Sequence, residues 1–344
     1  MPSIRAACAA AAAAAAALAA THAYARTITD IAGRVVEIPE VVNRVADPWH
    51  ANNAMVLMLG GAGKLVATSW QAARQPWLRR LYPRIDEVPV AFDAAGDVNI
   101  ETLAAAHPDV VLMAYGGTLP RWLSQADALG IPVVMMPNAS LADLKVTVRM
   151  TGEVLGGDAV RIAREYVSYF DANIARIERV TSSIRVDRRA RVLHTASNGI
   201  FSIDGRDTLV DDWIRAAGGV NAATVTGNIR TVGIEQILAW NPDVIIVGSA
   251  PNEASRRQIL DDPRWREVKA VRDGRVYVNP TGAYLWDRHS AEAALQVLWA
   301  AKTLYPERFE DIDIEKETRN FYSRFFHHEL TAAEFHSIMS ATPP

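Results

Sequence analysis

The chain has 344 residues, with 36 lysines and arginines against 39 aspartates and glutamates, for a net charge of −3 at neutral pH. No basic block runs through it, which argues against nucleic acid or an anionic membrane surface as the partner. Its one cysteine, Cys8, excludes a disulfide within the chain, and the length fits two domains.

In chain order, Met1-Pro2-Ser3-Ile4-Arg5 precedes an apolar run from Ala6 to Ala20. That run is shorter than the ~20 residues needed to span a bilayer. Arg5 supplies a positive start and Ala23-Tyr24-Ala25 a small-x-small cleavage site, so residues 1–25 read as a secretory signal peptide. Cys8 lies inside it. A lipoprotein signal would want a Leu-like residue three positions before the cysteine, and Arg5 stands there instead. The mature chain is therefore expected in the periplasm, soluble, not lipidated and without cysteine.

Arg26 to Pro39 reads as a hairpin turning at Ala32-Gly33, and Val41 to Ala46 as a buried strand. Asp47-Pro48-Trp49-His50 follows as a loop, then a helix from Ala51 to Leu59 and a strand at Leu65–Thr68, followed by Ser69-Trp70. The segment 99–113 supplies another short helix, then through Pro108-Asp109 a strand running into Tyr115. Another helix runs from Pro120 to Leu129, and a strand from Pro132 to Met136. Alternating strand and helix of this kind builds a mostly parallel sheet. Leu141 to Leu155 is helical and stops at Gly156-Gly157. Asp158 is the expected N-cap of a long helix to about Thr181, whose apolar positions Ile162, Tyr166, Tyr169, Phe170, Ile174 and Ile177 keep helical spacing. Arg191–Thr195 restarts the α/β pattern. Helices at 207–217, 255–260 and 290–304, a strand at 275–278 and terminal helices complete it.

One segment occurs twice. Asn99-Ile100-Glu101 through His107-Pro108-Asp109 to Met113 returns as Gly233-Ile234-Glu235 through Asn241-Pro242-Asp243 to Val247, without a gap. Each copy reads as a short helix, a Pro-Asp turn and a β-branched buried strand. Two such units imply two similar α/β lobes with a ligand between them. Domains are expected at 26–157, 158–184 for the linker helix, and 185–344 with the C-terminal helices.

Ligands of open α/β sheets bind outside the carboxyl ends of the strands. That rule selects Trp49, His50, Trp70 and Tyr115 in the first lobe. In the second it selects Asn198, Arg230, Tyr284, Trp286 and Arg288, with Asp97 in a place related to that of Arg230. Aromatic faces pack on a bulky or planar ligand and arginine pairs with its anionic oxygens. His50 and His289 are candidate metal ligands. His194, inside a strand, is expected to be a hydrogen-bonded core residue. His107, matched by Asn241 in the second copy, fits a turn or cap. His327-His328 fits a solvated face.

The hairpin, Arg44-Val45 opening the first strand, Gly218-Gly219-Val220-Asn221-Ala222-Ala223, both Ile-Glu…Pro-Asp-Val copies and Leu304-Tyr305-Pro306-Glu307-Arg308-Phe309 come in a telling order. In this order the chain resembles periplasmic substrate-binding proteins of ABC importers, in the iron–siderophore and cobalamin group with one long linker helix. The resemblance implies two lobes, each a mostly parallel sheet flanked by helices, joined by that helix as in helical-backbone metal receptors. It implies a monomer that delivers a metal chelate, above all a ferric siderophore, to a membrane permease and its ATPase, with no resident cofactor. Glu101 and Glu235 would dock into arginine pockets of the permease. Molybdate or tungstate, a corrinoid, or nickel or another metal complex are the alternative cargoes. A two-lobe nucleotide-sugar glycosyltransferase is the enzymatic alternative, but an exported protein does not meet cytosolic nucleotide sugars. The chain also lacks Gly-x-Ser-x-Gly, Gly-x-x-x-x-Gly-Lys and His-Glu-x-x-His.

Overall fold

The computed structural model describes residues 25–94, 96–196, 199–248 and 252–344. Residues 1–24 of the expected signal peptide, and Asn198, lie outside them. Strands β1 (Ala25–Thr29) and β2 (Val35–Pro39) form the antiparallel hairpin. Next come β3 (Val45–Asp47), β4 (Leu65–Ser69), β5 (Val90–Phe92), β6 (Val110–Ala114) and β7 (Val133–Met136). They make one wholly parallel sheet in the order β5-β4-β3-β6-β7. A second sheet holds β8 (Arg191–Thr195), β9 (Ser202–Ile203), β10 (Val220–Asn221), β11 (Arg230–Thr231), β12 (Val244–Val247) and β13 (Val276–Val278). Its order is β11-β9-β8-β12-β13, with β10 also on β8. The strands β8, β12 and β13 are parallel, while β9 runs antiparallel to its neighbours β8 and β11. Strand order reverses between β3 and β6 in the first sheet and between β8 and β12 in the second. Crevices at such switch points are where open sheets bind ligands.

The two repeat copies do the same structural work. The helix Ile100–Ala105 ends at His107 and the helix Ile234–Trp240 at Asn241, both left-handed with φ of 43° and 40°. The carboxylate of Asp109 accepts the N–H groups of Asn43 and Arg44, at 2.7 and 2.9 Å. That of Asp243 accepts the N–H of Arg191 at 2.9 Å. Arg44 and Arg191 then donate to the carbonyls that end the two helices. Unsatisfied helix-end carbonyls and strand-start amides are thereby paired in both lobes.

Between the sheets run the helices α1 (Leu141–Leu155) and α2 (Asp158–Thr181). At 24 residues, α2 is ~36 Å long. Gly156 and Gly157, with φ of 68° and 56°, turn the chain between the two helices. The N-cap of α2 is Gly157 and makes no side-chain bond. This corrects the expected capping by Asp158, which is instead the first helical residue, where its charge complements the helix dipole. The two helices touch closely. A methyl group added at Gly152 would meet the Ala159 carbonyl oxygen at 2.9 Å.

One hydrophobic core runs through both lobes. Tyr166, Phe170 and Ile177 of α2 join Met55 and Val110 of the first lobe to Val192 and Trp213 of the second. The C-terminal segment adds a second connection. Phe321 and Phe325 pack on Tyr166 and Tyr169 of α2. Tyr322 meets Trp77 of the first lobe edge-on at 6.3 Å. Trp77 donates to the Thr342 carbonyl at 3.1 Å, and Arg80 pairs with Glu334 at 2.7 Å. No helix among the described residues is long and apolar enough to cross a membrane.

Candidate functional site

Among the described residues, two loops meet in the cleft, one after β3 and one after β13. In the first, buried Asp47 ends the strand and accepts the N–H of Trp49 and the side-chain amide of Asn52, each at 2.9 Å. These bonds fix where the Trp49 ring stands. Burial nevertheless raises the Asp47 carboxyl well above the usual carboxylate range. In the second loop, the N–H of Tyr284 and the hydroxyls of Tyr322 and Ser290 all point at the buried Glu292 carboxylate. Gly282 is needed there, because a Cβ would stand 1.9 Å from the Tyr322 hydroxyl.

The two loops meet. Trp49 faces His289 with ring centroids 4.5 Å apart, and His50 faces Tyr284 at 5.1 Å. A cavity of about 190 Å³ lies here, lined by Trp49, Asn138, Asn228, Tyr284, Arg288 and His289 among others. On the other side of Trp49 a cavity of about 250 Å³ is lined by His50, Gln71, Asp93 and Met113. His289 is 7% exposed, and no hydrogen bond of ordinary geometry reaches either ring nitrogen among the described residues. Burial pulls its pKa down to about 3, with the Asn138 backbone acting weakly the other way, so the ring is neutral at physiological pH. His50 is lowered by burial too.

Among the described residues, Arg288 is the cation of the smaller cavity. Its guanidinium pairs with Asp204 at 2.9 Å. The same Asp204 oxygen lies 2.9 Å from Nδ1 of His194, whose Nε2 is 2.9 Å from Asp287. His194, Asp204 and Asp287 are all fully buried, with the Trp213 indole edge-on to the imidazole. Burial opposes charge on both His194 and Asp204. The hydrogen bonds between them prevail, holding the imidazole pKa above its ordinary value and the carboxyl below its own. The expected core role of His194 agrees with this geometry, although its partners stand 10 and 93 positions away.

Of the residues selected by the strand-end rule, Trp49, His50, Tyr284 and Arg288 come together, with His289. Trp286 does not join them. It is fully buried in the core, which corrects its place among the ligand contacts. Along this loop Tyr284 and Arg288 are partly exposed, while Trp286 and Asp287 between them are buried. Trp70 is exposed beneath the Arg74 guanidinium, 4.5 Å away, and lines neither cavity. Tyr115 packs against the first-lobe core and Arg230 is exposed on β11, and neither lines these cavities. Asn138, Met113 and Gln71 follow or end β7, β6 and β4, so the strand-end rule reaches them. Only their modest chemistry hid them. Asn228 carries no such signal.

His328 pairs with Glu334 at 3.1 Å, away from the cleft. Among the described residues no group of three or more His, Cys, Asp or Glu side chains is arranged to hold a metal ion.

Comparison with known proteins agrees with this architecture. The chain is 29% identical over 327 residues to the molybdate-binding protein MolA of Haemophilus influenzae, covering 88% of this chain and 91% of that one. The structure of MolA bound to molybdate, described as the binding protein of an ABC transporter, superposes with a TM-score of 0.77 at 27% identity, over 89% of this chain and 99% of that one. A periplasmic solute-binding protein from Veillonella parvula superposes with a TM-score of 0.80 at 27% identity, over 93% and 99% of the two chains. Helicobacter pylori CeuE with Ni(II) bound shares the fold, with a TM-score of 0.73 at 19% identity over 91% and 99%. The sequence pattern of the periplasmic binding proteins matches residues 50–282, through both sheets and the helix between them. The chain thus belongs to the periplasmic binding protein family, and it is a non-enzymatic solute receptor.

Proposed function

We propose that this receptor captures a small oxyanion of the molybdate type in the cleft between Trp49 and Arg288 and delivers it to an ABC permease driven by its ATPase. One observation carries the reading. Arg288 faces a cavity of about 190 Å³ whose other polar walls include the neutral donors Asn138 and Asn228. That volume lies below the roughly 300 Å³ at which pockets for drug-sized ligands begin. It suits a compact anion, which one guanidinium and a few amides can ligate. The 29% identity to MolA supports the same cargo. Export by residues 1–25 and docking through Glu101 and Glu235 belong to this reading.

A ferric siderophore or another metal chelate is the second reading. The aromatic walls Trp49, His50 and Tyr284, and the further cavity of about 250 Å³ beside Trp49, favour it. A bulkier complex would span both cavities by displacing the indole.

Titration calorimetry separates the two. Molybdate and tungstate should give saturable heats that Arg288→Gln abolishes, while sulfate competes weakly. Tryptophan quenching by a ferric catecholate complex, with no heat from molybdate, would transfer the function to the second reading.

A further inference from the structure

The environment of His194 restricts its protonation. Both ring nitrogens face carboxylate oxygens, Asp204 on one side and Asp287 on the other, each at 2.9 Å. A carboxylate can only accept, so both bonds form only when both nitrogens carry hydrogen, as in the imidazolium. Three elements close the site. Trp213 comes from the helix Leu209–Ala216, Gly248 ends β12, and the loop after β13 brings Asp287 and Arg288. Tyr284 also feels the Asp287 and Arg288 charges. A Cβ at Gly248 would stand 2.2 Å from the Asp287 carboxylate and 2.3 Å from His194 Nε2, so the glycine leaves the imidazole its place.

The charges of this cluster add to a simple result. Asp204 and Asp287 carry two negative charges, and Arg288 and the imidazolium two positive ones. His194 and Arg288 share a single oxygen of Asp204, while the other oxygen accepts the N–H of Ile229. With the imidazolium in place, Asp204 is already offset. If the ring loses its proton, Arg288 is the one cation left against two buried carboxylates.

We propose that His194 is a positioning residue for the cleft. Charged, it holds Asp204 and leaves the positive charge of Arg288 to an anion in the cavity. Neutral, it surrenders Arg288 to Asp204 and the cluster behind the cavity turns net negative. The inference rests on the cleft being an anion site. It adds that a fully buried residue, out of reach of any ligand, sets the affinity of that site. The proton on His194 and the bound anion then favour each other, as linked ligands must.

The test uses molybdate as the probe and the full mature chain. Affinity should fall about tenfold as pH rises through the His194 midpoint, an ordinary size for coupling between sites. His194→Gln should bind molybdate weakly and lose that pH dependence. Adding Asp287→Asn to it removes the surplus negative charge and should restore most of the affinity, which a merely structural role for His194 would not do. If Arg288→Gln leaves binding intact, the anion-site reading fails. If Arg288→Gln abolishes binding while His194→Gln keeps wild-type affinity and pH profile, the positioning role fails alone. A readout without ligand covers variants that do not fold. In the wild-type protein, the Arg288 Nε–H signal, assigned by its loss in Arg288→Lys, should shift with the same midpoint as the His194 ring carbons. An Arg288 signal that stays still while His194 titrates would overturn the proposal.

Discussion

The indole of Trp49 and the imidazole of His289 stand with centroids 4.5 Å apart, and through them the two lobes touch across the cleft. Each ring ends a loop that follows a strand, one after β3 and one after β13. The contact therefore buries His289 only while the lobes keep their mutual position, and it makes that residue a reporter of the cleft.

The first prediction concerns this reporter. The folded pKa of His289 is held down to about 3, mainly by burial. An unfolded histidine titrates near 6.5. Between those values the unfolded state binds the extra proton, so stability present at neutral pH is lost as pH falls. His289→Asn removes that contribution. Between about pH 6 and pH 4 its stability should fall less steeply than wild type, by up to ~1.4 kcal/mol per pH unit. Trp49→Ala should let water in and raise the His289 midpoint in carbon-13 spectra of the ring. An unchanged midpoint would show that the indole does not shield it.

The second prediction concerns Gly248. Its would-be Cβ meets the Asp287 carboxylate and the His194 ring rather than the end of a flexible chain. Neither can move without breaking a buried bond. Gly248→Ala should therefore cost about 1–3 kcal/mol, the usual range for overfilling a packed interior. Thermal unfolding measures this directly, and equal midpoints for the two proteins would rule it out.

The third prediction concerns Glu334, which joins the C-terminal segment to the first lobe. It accepts the N–H and hydroxyl of Thr331 and pairs with Arg80 and His328. Against the opposing effect of burial, these bonds draw its pKa down to about 2. The stability they supply is present above the ordinary glutamate value near 4.3 and is lost as pH falls towards 2. Glu334→Gln should cost roughly 1–2 kcal/mol at neutral pH, from a weakened cap and a lost ion pair. The cost should shrink at pH values near the folded pKa. Denaturant titrations at two pH values give both numbers, and a cost independent of pH would mean the charge is irrelevant.

How far the sequence already carried this architecture differs by element. The repeat was legible because its helix, turn and strand are local, and each depends on residues a few positions apart. His107 and Asn241 could even be matched as turn residues. The long helix was legible for the same reason, since its apolar stripe is periodic. Strand β5, only three residues long, left no pattern to read. The cleft was half legible. The strand-end rule finds Trp49, His50, Tyr284 and Arg288, but it cannot tell that Trp286, between two lining residues, turns inward. The His194 network was not legible, because pairing a histidine with two carboxylates from separate loops is set by tertiary packing. Nor was the return of the C-terminal segment to the first lobe, which depends on Trp77 and Arg80 meeting Thr342 and Glu334.

The last prediction concerns the duplicated acids. Glu101 and Glu235 are both exposed, each in the first turn of a short helix that leads into a central strand of its sheet. A carboxylate at such a position is favoured by the helix dipole, which alone would explain each of them. It does not explain why both lobes present one acid at the same point of the repeat, 134 positions apart. Docking of each acid into a positively charged pocket of a permease, as proposed above, would account for it. Because neither residue lines the cavities at Trp49, the two functions separate. Glu101→Ala with Glu235→Ala should leave molybdate affinity within about twofold and thermal stability nearly unchanged, as expected for exposed positions. Uptake by cells carrying the variant should fall to the level of cells lacking the receptor, because the loaded protein no longer engages its permease. Each single substitution should lose less than the pair, since the other lobe still holds on. Normal uptake by the double variant would return both acids to the simpler role of complementing a helix dipole.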